Sequence, residues 1–156
     1  MLEEKHRGLI KKYLTDKYQM VLATSGAEYP WIATLYFSFD DELNLYFLSS
    51  PNTLHCKQID ENQKVAVAIA DSPQNPTSNK KGLQIFGVAQ QISGKHKITH
   101  ALNLWKKTLG VTSTEYSYEG MTKKLISGRM YKIIPKKIKF FNEELWEEGK
   151  EVTIEL

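Results

Sequence analysis

Short runs of β-branched and aromatic residues recur along this chain, and turn residues separate them. Strands are predicted at residues 20–24, 31–39, 43–48, 65–70, 82–92, 130–134 and 138–141. Many short strands with few helices favour an antiparallel barrel, because closing the sheet protects its hydrophobic edges. We therefore predict a mainly β (α+β) fold, an antiparallel barrel of six to seven strands with flanking helices.

Turn residues add detail to this sheet. The acidic turn Asp40-Asp41-Glu42 predicts a hairpin between its neighbouring strands. Gly87 lies mid-strand, where glycine indicates a bulge, a barrel bend or close backbone approach. Pro135 is predicted to interrupt the last pair of runs, and the alternation of Val152, Ile154 and Leu156 predicts an edge strand in the tail.

Helical periodicity is confined to a few segments. Amphipathic spacing predicts helices at residues 2–18 and 97–109, with shorter ones at 54–59 and 122–126. Asn52 or Thr53 is the predicted N-cap of the helix at 54–59. Residues 71–81 are predicted to form a polar loop, and the chemistry of neither this loop nor residues 110–127 indicates a role.

The length of 156 residues fits one domain, residues 1–156, able to bury a core without disulfides or metals. Cys56 is the single cysteine, and it is predicted to be a buried structural thiol. A lone cysteine and the absence of a long apolar run predict a cytoplasmic protein with no membrane partner.

The net charge of +3 comes almost entirely from lysine, since Arg7 and Arg129 are the only arginines. Aromatic strands and lysines would also suit a barrel that binds single-stranded nucleic acid, but few arginines and an acidic hairpin turn disfavour it. We therefore predict no nucleic-acid partner.

Hydroxyl groups cluster where one predicted strand ends and a helix begins. Ser49, Ser50 and Thr53 lie at this junction, and His55 follows two residues later. The positive end of the helix dipole lies there too, so the segment can accept an anion. The alternative interpretation is that these residues only cap the helix.

The segments MVLAT, YPWIATLYFSF, LNLYFLSS, PNTLHCKQI, VAVAIA and GLQIFGVAQQI occur here in one order. Over about half of the chain this order resembles the FMN-binding split-barrel superfamily, which includes pyridoxamine 5′-phosphate oxidase, and within it the small members of unassigned activity most of all. The resemblance implies a split barrel, FMN as cofactor, and a homodimer that holds the flavin where two subunits meet.

The resemblance also implies which residues would contact FMN. Around the phosphate they are Leu48, Ser49, Ser50, Thr53, Leu54 and His55. Along the isoalloxazine ring they are Ala33, Thr34, Leu35 and Tyr36, with Gln84 reaching the flavin from the second subunit. No catalytic residue and no metal site is identified.

The function implied is an FMN-dependent oxidoreductase that passes hydride or electrons from a donor such as reduced nicotinamide to a small molecule. Ala33, Leu54 and Ser38 replace basic residues of the family oxidase, so a true pyridoxamine-phosphate oxidase is not expected. Lys57, Lys80 or Lys81 are the lysines that could compensate.

The alternative is a non-catalytic, stress-related module that binds haem or another planar ligand. Its axial candidates are His55, His96 and His100. His96 and His100 have the i, i+4 spacing that can hold a metal, although a solvated or packed role is favoured.

Overall fold

Eight antiparallel strands form one curled sheet, flanked by four helices, in the computed structural model, which describes residues 2–156. The strands are β1 (Gln19–Ser25), β2 (Pro30–Tyr36), β3 (Ser38–Phe39), β4 (Leu45–Ser49), β5 (Lys64–Ala70), β6 (Lys81–Gln91), β7 (Arg129–Asn142) and β8 (Glu151–Glu155). The helices are α1 (Leu2–Leu14), α2 (Leu54–Glu61), α3 (Lys95–Leu109) and α4 (Tyr118–Thr122). The strand order is β2-β1-β5-β6-β7-β4-β3, and β8 pairs with β7. This confirms the predicted mainly β split-barrel fold with flanking helices.

Alternation of side chains separates an inner face of the sheet from an outer one. On β5, Val65, Val67 and Ile69 point into the main core while the residues between them are exposed. A second apolar cluster lies on the outer face, where Trp105 of α3 packs near Tyr46 and Met130. Helix α3 thus covers the part of the outer face that β3, β4 and β7 form.

The strand β7 runs unbroken through Pro135, so the predicted interruption is wrong. Pro135 pairs with Gly87, and the register shifts between Phe86 and Gly87. Such a bulge is where a sheet tolerates a residue without an N–H. A Cβ on Gly87 would lie 2.7 Å from the carbonyl oxygen of Ile134, so close backbone approach requires glycine there.

The predicted short helix at 122–126 is displaced, because α4 spans Tyr118–Thr122. The Ser117 hydroxyl accepts the Gly120 N–H at 2.9 Å and so fixes an earlier start. Lys124 then takes a left-handed conformation with φ 57°, which ends the helical path. The N-cap of α2 is Thr53, as predicted, although its side chain makes no capping hydrogen bond.

Cys56 is fully buried in the main core, as predicted for a structural thiol. Within residues 2–156, every helix is too short or too polar to cross a membrane.

Candidate functional site

Ser49, Thr53 and His55, which we call the hydroxyl–histidine cluster, come together at the predicted phosphate segment. The Ser49 hydroxyl lies 2.7 Å from His55 Nε2, and the Thr53 hydroxyl lies 3.2 Å from the same nitrogen. The Thr53 hydroxyl also donates to the Ser50 carbonyl oxygen at 2.8 Å. The predicted residues therefore meet, but they satisfy one another rather than an external anion.

The cluster has no positive charge of its own. His55 is buried beside the Phe47 ring, and desolvation lowers the pKa of its imidazole, which favours the neutral form. Lys80 and Lys81 form ion pairs with Glu148 and Glu144 elsewhere on the surface. Two of the three lysines suggested as compensating cations are therefore engaged with carboxylates.

The predicted ring-contact strand β2 is divided between the two faces of the sheet. Ala33 and Leu35 pair with Leu22 and Met20 of β1, whose side chains point into the core. Thr34 and Tyr36 lie on the opposite, outer face with the exposed side of β1, because directly opposed residues share a face. Backbone contacts apart, these four residues do not line one slot.

Gln84 lies on an exposed apolar part of the outer face. Its strand neighbour Phe86 is 43% exposed, and across the sheet Val21 is 38% and Ile32 is 65% exposed. We call Val21, Ile32, Ala66, Ala68 and Phe86 the outer sheet face. A cleft of about 560 Å³ crosses it, with Gln84, Lys137 and Lys139 also among its lining residues.

Leu48 and Leu54 complete the predicted set. Leu48 lies against Gly128, where an added Cβ would be 2.8 Å from the Leu48 side chain, so it serves packing at the end of β4. Leu54 begins α2 and is partly buried.

A different cavity, of about 500 Å³, lies under the first two turns of α3, and we call it the α3 cavity. Its floor contains Gln90, Lys132 and Tyr46, which are paired in register across β6, β7 and β4. Its other lining residues are Gln91, Ile92, Ser93, His96, Lys97 and His100. The i, i+4 spacing of the two histidines places both on one helix face, and that face borders the cavity.

In this cavity, Tyr46 is fixed by a hydrogen bond, whereas the two lysines have no carboxylate partner in the described part of the chain. The Tyr46 hydroxyl donates to Asp40 Oδ2 at 2.8 Å, and burial together with this bond raises the pKa of the phenol. The ammonium of Lys132 lies 5.9 Å from the centroid of the Tyr46 ring. Within residues 2–156, no ion pair involves Lys97 or Lys132.

Comparison with known sequences places the chain in a family. A family model described as pyridoxamine 5′-phosphate oxidase matches residues 3–131. The chain belongs to the pyridoxamine 5′-phosphate oxidase family. A search of the curated proteins found no match.

Several solved structures share the fold of this chain at low sequence identity. ChuZ of Campylobacter jejuni is 15% identical with a TM-score of 0.75, over 97% of this chain and 60% of that one. A protein of Mycobacterium smegmatis described as haem-binding is 12% identical with a TM-score of 0.72, over 99% of this chain and 58% of that one. HutZ of Vibrio cholerae, described as a haem storage protein, is 16% identical with a TM-score of 0.70, over 86% of this chain and 93% of that one.

The expectation of an FMN-dependent oxidoreductase is wrong. Solved structures that share the fold are described as a haem-binding and a haem storage protein, and none of the findings supports flavin redox activity. The geometry explains why the sequence misled, because Ser49, Thr53 and His55 have the composition of a phosphate site but bond to each other.

Proposed function

We propose that this chain is a non-catalytic binding module for a planar cofactor, and that the cofactor is haem held in the α3 cavity. The observation that carries the proposal is the position of His96 and His100 on the border of this cavity, together with Lys97 and Lys132. The histidines border a cavity that is large enough to admit part of a flat ligand.

The residues of the α3 cavity match the chemistry of haem. Haem iron takes an imidazole nitrogen as an axial ligand, and His96 or His100 supplies one. The two propionates carry negative charge, which Lys97 and Lys132 can neutralise. Tyr46 and Ile92 provide aromatic and apolar contact for the ring. Bound haem would supply an iron centre. The residues of the chain would hold the haem and neutralise the charge of its propionates.

His55, the third axial candidate, fits this role less well. Its Nε2 atom lies 2.7 Å from the Ser49 hydroxyl, and its side chain is buried. Binding iron at that nitrogen would break the cluster and require α2 to move. We therefore assign the iron to the histidines of α3.

FMN fits the hydroxyl–histidine cluster less well than haem fits the α3 cavity. Its phosphate, close to a dianion, needs a cation or unengaged donors. The hydroxyl–histidine cluster has a neutral imidazole and hydroxyls that already have partners. FMN therefore serves as the competing ligand in the experiment below.

We also propose that the chain works as a homodimer through its outer sheet face, in the cytoplasm. Large exposed apolar patches on a sheet favour association and, left open, invite aggregation. Lys137 and Lys139 flank this face, each paired with a glutamate, Glu155 and Glu151. Because the edge of this face carries both positive and negative charges, it can be complementary to the same edge of a second copy related by a two-fold axis.

The oligomer is tested by light scattering on the purified protein. The wild type is expected to be a dimer, and Phe86→Lys, which places a charge in the apolar patch, is expected to be a monomer. The control is Gln90→Lys, on the same strand and the same side of the sheet but outside the patch. A monomeric wild type at micromolar concentration would contradict the proposal.

The ligand is tested by titrating the purified protein with haem and, separately, with FMN. We expect a saturable one-to-one change in the haem Soret band, at concentrations where FMN absorbance and fluorescence show no binding. Saturable FMN binding that is tighter than haem binding would overturn the proposal.

A further inference from the structure

A third concavity, of about 310 Å³, lies beside the hydroxyl–histidine cluster and is distinct from both the cluster and the α3 cavity. It is lined by Ser50, Pro51, Asn52, Lys124, Ile126, Ser127 and Arg129, and we call it the Arg129 pocket. It joins the loop before α2 to the connection between α4 and β7. The pairing of Ser49 with Arg129 across β4 and β7 brings these two segments together.

The guanidinium of Arg129 is fixed by three backbone carbonyls. Nη1 donates to the carbonyl oxygens of Gly128 at 2.8 Å and Ile126 at 3.2 Å, and Nη2 donates to that of Met121 at 3.2 Å. These bonds orient the side chain but leave other N–H donors of the guanidinium unused. Carbonyl oxygens do not cancel its charge.

The second cation is Lys124, which lines the pocket shortly after α4. Its φ of 57° lies in the left-handed region, which side chains other than glycine adopt at a cost. The neighbouring Lys123 shows the contrast, because it forms an ion pair with Glu119 at 2.6 Å. In the part of the chain that the structure describes, no ion pair involves Lys124 or Arg129.

Two hydroxyl side chains complete the lining. Ser50 Oγ accepts the Asn52 N–H at 3.4 Å, which leaves its proton free to donate, and Ser127 adds a second exposed hydroxyl. A guanidinium, an ammonium and two hydroxyls around one small concavity suit a tetrahedral oxyanion with more than one negative charge.

We propose that the Arg129 pocket binds a phosphate group, as free phosphate or as a small phosphate monoester. This site does not depend on haem, because it shares no lining residue with the α3 cavity. A monocarboxylate is disfavoured, because it would leave one of the two cations unmatched.

The experiment measures binding of inorganic phosphate to the full chain by isothermal titration at constant ionic strength, with acetate titrated in parallel. Wild type is expected to bind phosphate and to show no measurable heat with acetate. Lys124→Gln is expected to weaken phosphate binding by about tenfold, the value of one charge-assisted hydrogen bond. Lys123→Gln, one residue away on an ion-paired lysine, is expected to bind like the wild type.

A second variant separates the ligand role of Lys124 from its backbone strain. Lys124→Gly removes the side chain and relieves the left-handed conformation, so its thermal midpoint without phosphate is expected to rise, while added phosphate stabilises it less than it stabilises the wild type. No phosphate heat with wild type, equal weakening in Lys123→Gln and Lys124→Gln, or phosphate stabilisation of Lys124→Gly equal to that of the wild type would each overturn the proposal.

Discussion

The hydroxyl–histidine cluster and the α3 cavity both combine histidine with other polar side chains, yet they differ in what those side chains are bonded to. In the cluster, Ser49, Thr53 and His55 are within hydrogen-bond distance of one another, and the imidazole is buried. In the cavity, His96 and His100 are exposed and border open space. Polar side chains that hydrogen-bond to one another inside the protein stabilise the fold. Polar side chains that border a cavity without such partners indicate a ligand-binding site.

The largest expected effect concerns the histidines of the cavity. The double variant His96→Ala/His100→Ala is expected to lose haem affinity by at least about a hundredfold, since even outer-shell partners of a metal ligand are worth roughly 10- to 100-fold. Titration at the Soret band measures it.

His6→Ala removes a histidine outside the cavity and is the control for the double variant. Its haem affinity is expected to equal that of the wild type. Unchanged haem affinity in the double variant would mean that the histidines of the α3 cavity do not bind the iron.

The cluster is expected to show the opposite behaviour. His55→Ala removes a buried side chain and takes the 2.7 Å partner from the Ser49 hydroxyl, so we expect a loss of about 2–3 kcal/mol in the free energy of unfolding. Chemical denaturation measures this loss. Haem affinity of the folded variant is expected to remain that of the wild type, and a stable variant that no longer binds haem would assign the iron to His55.

The pH dependence of stability follows from the same burial. The pKa of His55 lies below its ordinary value of 6.5 in the folded protein, so unfolding takes up a proton once the pH falls below that value. This contribution to stability is fully present above pH 6.5 and is lost as the pH falls through and below it, by up to about 1.4 kcal/mol per pH unit.

Denaturation of His55→Gln between pH 7.5 and pH 5 tests this dependence, and its slope is expected to be flatter than that of the wild type. Identical slopes would mean that the cluster does not hold a neutral imidazole.

The smallest expected effect concerns charge matching in the cavity. Lys132→Gln removes one cation from a partly exposed site, so haem affinity is expected to fall about two- to fivefold and to become less sensitive to salt. Lys136→Gln, an exposed lysine of the same strand outside the cavity, is the control. An equal loss in both variants would indicate a general charge effect.

Much of the fold could be predicted from side-chain periodicity. Alternation in residues 65–70 indicates β5 directly, and Gly87 indicates the bulge that the register shift confirms. The interruption predicted at Pro135 is wrong because β7 accommodates the proline at a register shift, and the register between strands is not visible along one strand. The start of α4 depended on one hydroxyl, Ser117, within a segment rich in serine and threonine.

The candidate site could be predicted only in part. The residues 49–55 meet because they are close in sequence, so composition was enough to place them together. The floor of the α3 cavity joins Tyr46, Gln90 and Lys132, which become neighbours only through the register of three strands. Arg129 likewise becomes a neighbour of the loop after β4 only through the pairing of β4 with β7. Strand register is not visible in one sequence, so neither pocket could be assembled from it.

The central claim is that the cofactor binds in the α3 cavity rather than at the hydroxyl–histidine cluster. The most direct test is a backbone amide NMR spectrum of the labelled protein with and without gallium protoporphyrin, a diamagnetic analogue of haem. We expect the largest chemical-shift changes at residues 90–100 and at Tyr46 and Lys132. Changes centred on residues 49–55 or on the outer sheet face would contradict the claim.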